Sequence, residues 1–172
     1  MRIVAGRWRG RTIAAPDGRQ VRPTADRVRE AWLSIVGPLL PDARVLDLCA
    51  GSGALGIEAV SRGAASADLV EIAPQSLRAI RKNIDSLGAG DTIHVHRQDA
   101  LRFISALDAG AYDVAFADPP YDLAMAPAIA ERWLTVPFAS VLGIEHRRTE
   151  QLPGDGERRQ YGQTAITFYR RD

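Results

Sequence analysis

Cysteine, lysine, methionine and aromatic residues are all scarce in this 172-residue chain. Its one cysteine, Cys49, rules out an internal disulfide and a cysteine-based metal cluster. The three histidines, His94, His96 and His146, do not fall into a metal-binding spacing, so no metal is expected. No apolar run approaches the ~18 residues of a membrane span. The opening Met1-Arg2-Ile3-Val4-Ala5-Gly6 turns polar at once, unlike the basic-then-apolar stretch of a secretory leader. Repeats and low-complexity linkers are missing as well. The remaining composition is ordinary, with 46% apolar and 25% charged residues. A folded chain of this length buries roughly 70% of its unfolded surface, enough for a full core. One domain over residues 1–172, cytoplasmic and without a membrane partner, is the expectation.

Net charge is only +1, but it is unevenly spread. Residues 1–30 hold eight arginines against Asp17, Asp26 and Glu30, whereas residues 31–126 hold seven basic and twelve acidic residues. A basic amino-terminal segment on an acidic body points to local contact with a polyanion. Within it, Arg7, Arg9 and Arg11 are candidate phosphate contacts. Trp8 between them offers a stacking face for a nucleotide base. Arg22 and Arg27 would contact either RNA or a cofactor.

The chain divides into a basic part, residues 1–40, and a core, residues 41–172. Residues 2–5 and 11–14 read as short strands around a turn at 6–10, a hairpin arm. Thr24 is a candidate N-cap for a helix that ends at Gly37-Pro38, with Val28, Ala31, Trp32, Ile35 and Val36 at helical spacing. Strand-like runs then follow at 44–48, 67–71, 92–96, 112–117 and 140–145. Helical patterns lie between them at 54–62, 75–87, 100–107 and 124–134. This alternation predicts an α/β fold with a mostly parallel sheet. Residues 157–161 and 164–169 flank Gly162 like an antiparallel hairpin, giving six or seven strands with an antiparallel edge. Ligands of such sheets bind at the carboxyl ends of the strands.

Two strand ends carry chemistry. The first runs into Asp47-Leu48-Cys49-Ala50-Gly51-Ser52-Gly53-Ala54-Leu55-Gly56, a G-x-G-x-x-G loop between strand and helix. An acid at Asp47 would repel a pyrophosphate, whereas it favours a cationic, amino-acid-bearing cofactor. Ala50, Gly51, Ser52 and Gly53 would form the backbone of that site. Glu71 ends the next strand, where a carboxylate can accept from both ribose hydroxyls. Ile72 could cover an adenine face, Asp99 could accept from the adenine amine, and Ala100 with Leu101 would line the slot. Cys49 reads as a small buried filler, since no basic residue nearby in sequence marks an activated thiolate.

The fourth strand enters Asp118-Pro119-Pro120-Tyr121. A double proline directly after a buried strand is unusual, because neither residue can donate to a ladder. Methylation of an exocyclic amine on a nucleobase needs such a device. The amine lone pair is delocalised into the ring. The Asp118 carboxylate and the Pro119 carbonyl can each accept one N–H and aim the lone pair at a methyl donor, while Tyr121 stacks on the base. Glu145-His146 ends the fifth strand near the same cleft, with His146 read as a structural edge residue.

Together, Asp47–Gly56, Glu71, Asp99 and Asp118–Tyr121 resemble the motifs of class I S-adenosylmethionine-dependent methyltransferases. Gly6-Arg7-Trp8-Arg9-Gly10-Arg11 and Arg22-Pro23-Thr24-Ala25-Asp26-Arg27-Val28-Arg29-Glu30 resemble the RsmD family. The resemblance implies a Rossmann-like fold with a seven-stranded sheet, S-adenosyl-L-methionine as cofactor, and catalysis at Asp118, Pro119, Pro120 and Tyr121. It also implies methylation of a guanine N2 amine in bacterial 16S ribosomal RNA, within a small-subunit particle, by a monomer. The family often has phenylalanine at the position of Tyr121, and stacking survives that change. The rival readings are an adenine-N6 methyltransferase, a non-catalytic RNA-binding module of the same fold, and a dinucleotide-dependent oxidoreductase. Asp47 and the double proline count against the last.

Overall fold

A computed structural model describes residues 1–17 and 23–172. After an amino-terminal arm comes helix α1 (Pro23–Val36), then strands and helices in alternation. These are β1 (Arg44–Leu48), α2 (Ala54–Ser61), β2 (Ser66–Glu71), α3 (Pro74–Leu87), β3 (Ile93–Arg97), α4 (Ala100–Ser105) and β4 (Tyr112–Ala117). The chain finishes with α5 (Met125–Thr135), β5 (Ala139–Arg147), β6 (Glu157–Tyr161) and β7 (Thr164–Arg170).

The seven strands form one sheet in the order β3-β2-β1-β4-β5-β7-β6. Pairings among β1 to β5 are parallel, and β7 is antiparallel to both neighbours. The reversed strand is therefore β7, one place in from the edge, and β6 forms the edge itself. The order turns around between β1 and β4, which places a crevice at their carboxyl ends.

Alternation along β1 shows how both faces are buried. Val45 packs with Trp32 of α1 and Ile57 of α2, while Leu46 and Leu48 pack with Ile104 of α4 and Ile129 of α5. Period-2 alternation sends odd and even residues to opposite faces. Side chains of Asp47, Phe116 and Leu69 share the α1–α2 face, because Asp47 is in register with both Phe116 and Leu69. Trp32 meets Phe116 edge-on, with ring centroids 5.4 Å apart. Helix α1 begins at Pro23, one residue before the expected cap at Thr24. Proline suits the first helical position, where its missing N–H has no intrahelical partner anyway.

The expected hairpin arm forms as a very short antiparallel pairing, in which Ile3 N donates to the Arg11 carbonyl and Ile13 N to the Met1 carbonyl, each at 2.9 Å. The pairing is limited to one bridge, Arg2 to Thr12, among the described residues, because the next donors along the chain turn to α2 instead. Val4 N and Ala5 N donate to the buried Glu58 carboxylate of α2 at 2.8 and 3.1 Å. Trp8 N donates to Ser61 Oγ at 3.0 Å, and Arg7 N to the Ser61 carbonyl at 2.9 Å. Gly6 has φ +86°, and a Cβ there would lie 1.7 Å from the Ser61 carbonyl oxygen, so only glycine permits this approach. Farther along, Ala14 exchanges hydrogen bonds with the Asn83 amide, at 2.7 and 2.9 Å. The same amide donates to the Ser52 carbonyl at 3.0 Å, tying the arm to the glycine loop.

Candidate active site

The glycine loop is built from below. Asp47 is 1% exposed, and its carboxylate accepts from Gly56 N at 3.0 Å, fastening the first turn of α2 over the end of β1. Burial pushes its pKa well above the usual carboxylate range, against the Gly56 hydrogen bond, and the charges of Asp118 and Glu71 add to the rise. Asp47 is thus a helix-capping acid and also part of the cavity floor. Gly51 and Gly53 take left-handed φ of 60° and 83°, which L side chains rarely adopt. Cys49 is partly buried, and its thiol is pushed up to about 12 by burial and by surrounding carboxylates, so it stays protonated and inert.

Glu71 organises the next strand end. One oxygen accepts from Gly51 N at 2.9 Å, and the other from Ile72 N and Ala73 N at 2.8 and 2.9 Å. It sets the shape of a cleft lined also by Ile72, Asp99, Ala100, Asp118 and Pro119. Ile72 is 57% exposed at this lip. Asp99 caps α4 by accepting from Arg102 N at 3.0 Å with Oδ2. A carboxylate has a second oxygen with which to accept from a ligand. Among the described residues, no basic side chain lines this cleft.

Beside it lies a second cavity, under the arm and α1. Asp26, Arg29, Trp32, Asp47, Asp118 and Glu145 line it, along with the glycine loop. Cys49 and Asp118 line both spaces, so the ends of β1 and β4 stand where the two meet. Asp118 is exposed and Pro119 buried at the end of β4. Tyr121 is 37% exposed, and its hydroxyl lies 2.9 Å from Thr164 Oγ1. The Arg147 guanidinium sits 5.2 Å from its ring centroid. A base stacked on Tyr121 would share the ring with a cation.

Glu145 was given no role from sequence, yet it belongs to this site. It lines the same cavity as Asp118, and its pKa is raised to about 9, by burial first and by the Asp118 charge second. Neighbouring His146 is fully buried, with Nε2 2.7 Å from Thr167 Oγ1 and Nδ1 2.9 Å from the Arg147 carbonyl. It is structural, and burial lowers its pKa. A signal for Glu145 did exist in the sequence: an acid at the end of the strand beside Asp118. Recognising it requires the register of β4 with β5.

The arm residues are placed unevenly. Arg7, Arg9, Arg11 and Arg27 are exposed. Arg11 also donates to the Ser86 carbonyl at 2.7 Å. Trp8 corrects its expected role: it is 8% exposed, packed in the core, with Arg7 4.2 Å above the ring centroid. Its indole anchors the arm and presents no open stacking face. Arg22 lies outside the described residues.

The profile of the family described as "Conserved hypothetical protein 95" matches residues 1–170. "Ribosomal RNA small subunit methyltransferase D" of Escherichia coli is 42% identical over 121 residues, covering 70% of this chain and 60% of that protein. "Putative rRNA methyltransferase YlbH" of Bacillus subtilis is 32% identical over 183 residues, covering 99% of each. The solved structure "Putative methyltransferase yhhF from Escherichia coli" superposes with a TM-score of 0.85 at 32% identity, covering 100% of this chain and 98% of that one. The match to the Escherichia coli rRNA enzyme thus spans about three-fifths of that relative's length.

Proposed function

The chain belongs to the RsmD family of methyltransferases, and from that premise we propose that it moves a methyl group from S-adenosylmethionine to the N2 amine of a guanine in 16S ribosomal RNA. The observation that carries this reading is the exposed Asp118 beside Pro119 and Tyr121 at the end of β4, adjoining a cleft without basic residues.

The residues present fit that cofactor. Asp47, Glu71, Asp118 and Asp99 surround the strand ends closely enough to raise the Cys49 pKa together. Such an acidic site attracts a sulfonium and an ammonium and repels a pyrophosphate. Glu71, Ile72, Asp99 and Ala100 would hold the adenosine half, with Gly51, Ser52 and Gly53 supplying close backbone. S-adenosylmethionine, when bound, supplies an activated methyl group.

The chain's own work is positioning. The Asp118 carboxylate accepts one N–H of the target amine, and the Pro119 carbonyl accepts the other. Both draw the nitrogen lone pair out of the ring. The negative charge of Asp118 also faces the positive charge that develops on nitrogen, and such preorganised electrostatics carry most of the rate. Consecutive prolines hold this backbone without competing donors. The proton released by the nitrogen passes to Asp118 or to water. Arg7, Arg9, Arg11 and Arg27 contribute phosphate contacts that hold the RNA.

Labelled cofactor offered side by side to small ribosomal subunits, free 16S RNA and DNA tests the proposal. The expected product is N2-methylguanine in the ribosomal RNA, made best in the subunit particle. Label appearing as N6-methyladenine, or only in DNA, refutes the base assignment. Absence of transfer to every substrate would favour the non-catalytic module.

A further inference from the structure

Strands β4 and β5 are parallel, with Ala117 in register with Ile144. The next residues, Asp118 just past the end of β4 and Glu145 within β5, therefore stand side by side on one face, on backbones roughly 4.8 Å apart. Two carboxylates side by side on one sheet face do not both ionise cheaply, and one holds a proton. Both side chains line the same cavity beside α1. Of the two, Asp118 is exposed and Glu145 is partly buried, so desolvation puts the proton on Glu145. Tyr121 is anchored to β7, its hydroxyl 2.9 Å from Thr164 Oγ1.

Among the described residues that line this cavity, the cations are engaged elsewhere, the Met1 ammonium donating to the Ile13 carbonyl at 3.4 Å. Across the cavity from α1, Arg29 pairs with Asp26 at 3.3 Å. On its own strand, Arg147 pairs with Asp122 at 2.7 Å. Asp47, lining the same cavity from β1, is acidic, and His146 on β5 is engaged with Thr167. Among the described residues, each of these ionisable groups therefore either opposes a charge on Glu145 or is already partnered.

We propose that Glu145 is a positioning residue that carries the proton of the pair and donates it as a hydrogen bond to Asp118, holding that carboxylate charged and aimed at the target amine. The proposal rests on the methyl-transfer reading for its catalytic consequence but not for the protonation state itself. Burial raises the Glu145 pKa to about 9. As pH rises through that range, Glu145 loses its donated hydrogen and repels Asp118, so the rate falls on the alkaline side.

Two measurements test it. Carbon-13 NMR of the side-chain carboxyls in the ligand-free protein, which needs no substrate, should find Glu145 protonated and Asp118 ionised at pH 7. An ionised Glu145 at pH 7 overturns the proposal whatever the activity. Single-turnover methyl transfer is then followed from pH 6 to 10 in the parent, Glu145→Ala and Glu145→Gln, each checked for folding by its melting temperature. Glu145→Ala should be slower by roughly 10- to 100-fold, the scale of one hydrogen bond to a charged group. Glu145→Gln retains a donor, so it should recover most of that loss and show no alkaline decline. A parent-like rate and profile in Glu145→Ala would sink the assignment while leaving the methyltransferase reading intact. Retained Glu145 protonation in a protein that methylates nothing would do the reverse.

Discussion

Replacing Asp118 with alanine removes one of two acceptors for the target amine and the charge nearest the reacting nitrogen. Loss of one preorganised electrostatic partner typically costs about 10²–10³ in rate, or ~2.7–4 kcal/mol. The structure moves the expectation within that range. The Asp118 charge is the second cause, after burial, of the raised Glu145 pKa. Deleting it removes that repulsion, so Glu145 ionises more readily and restores part of the lost negative charge from one strand farther away. Asp118→Ala should therefore fall near the lower end, about 10² slower at neutral pH, and should recover somewhat as pH rises. Combining it with Glu145→Gln removes the substitute charge and should bring the loss to about 10³. Asp118→Asn keeps an acceptor oxygen and should be less impaired than alanine. Cofactor affinity should fall far less than the rate, since Asp118 is one of four acids around the strand ends and Glu71, Ile72 and the glycine loop stay in place. The assay is single-turnover methyl transfer at saturating cofactor, with S-adenosylhomocysteine binding measured in parallel. A parent rate for Asp118→Ala would mean that the tetrapeptide is only a turn, and the mechanism derived from it would fall.

Glu71→Ala should weaken S-adenosylmethionine binding by roughly 1.5–3 kcal/mol, the scale of charge-assisted hydrogen bonds. Calorimetry should place it at the upper end, because Gly51, Ile72 and Ala73 lose their acceptor as well; unchanged affinity would remove Glu71 from the site. Replacing Arg7, Arg9 and Arg11 together should flatten the salt dependence of RNA binding by up to about 0.9 log-log unit per lost contact in duplex-like regions. An unchanged slope would mean that these arginines only solvate the arm. Glu58→Ala leaves the amides of Val4 and Ala5 without their buried acceptor, and urea unfolding should show a loss of about 3–5 kcal/mol, two hydrogen bonds to a charged group. A loss under ~1 kcal/mol would show that the arm is not docked through Glu58.

Much of this protein is determined by local pattern. Alternating periods of 2 and 3.6 residues set the order of strands and helices, because each element must bury its own apolar face before any neighbour is chosen. The glycine loop, Glu71, Asp99 and Asp118–Tyr121 are legible for a related reason. Strand-end chemistry lies in contiguous residues whose backbone demands, left-handed glycines and non-donating prolines, are written into residue type. What tertiary structure alone decided is where separate segments meet. Trp8 looks like a nucleotide platform in sequence, but the Gly6 turn against Ser61 and the Glu58 carboxylate fold it into the core. The arm's pairing stays short, because α2 takes the backbone donors of Val4, Ala5, Arg7 and Trp8. Strand β7 reverses, but it does so one place in from the edge, a choice made by pairing partners distant in sequence. Glu145 becomes part of the site only through the register of Ala117 with Ile144, 27 residues apart in the chain and adjacent in the sheet. A carboxyl's ionisation depends on burial and on which charge lies beside it, and neither quantity exists until the strands are paired.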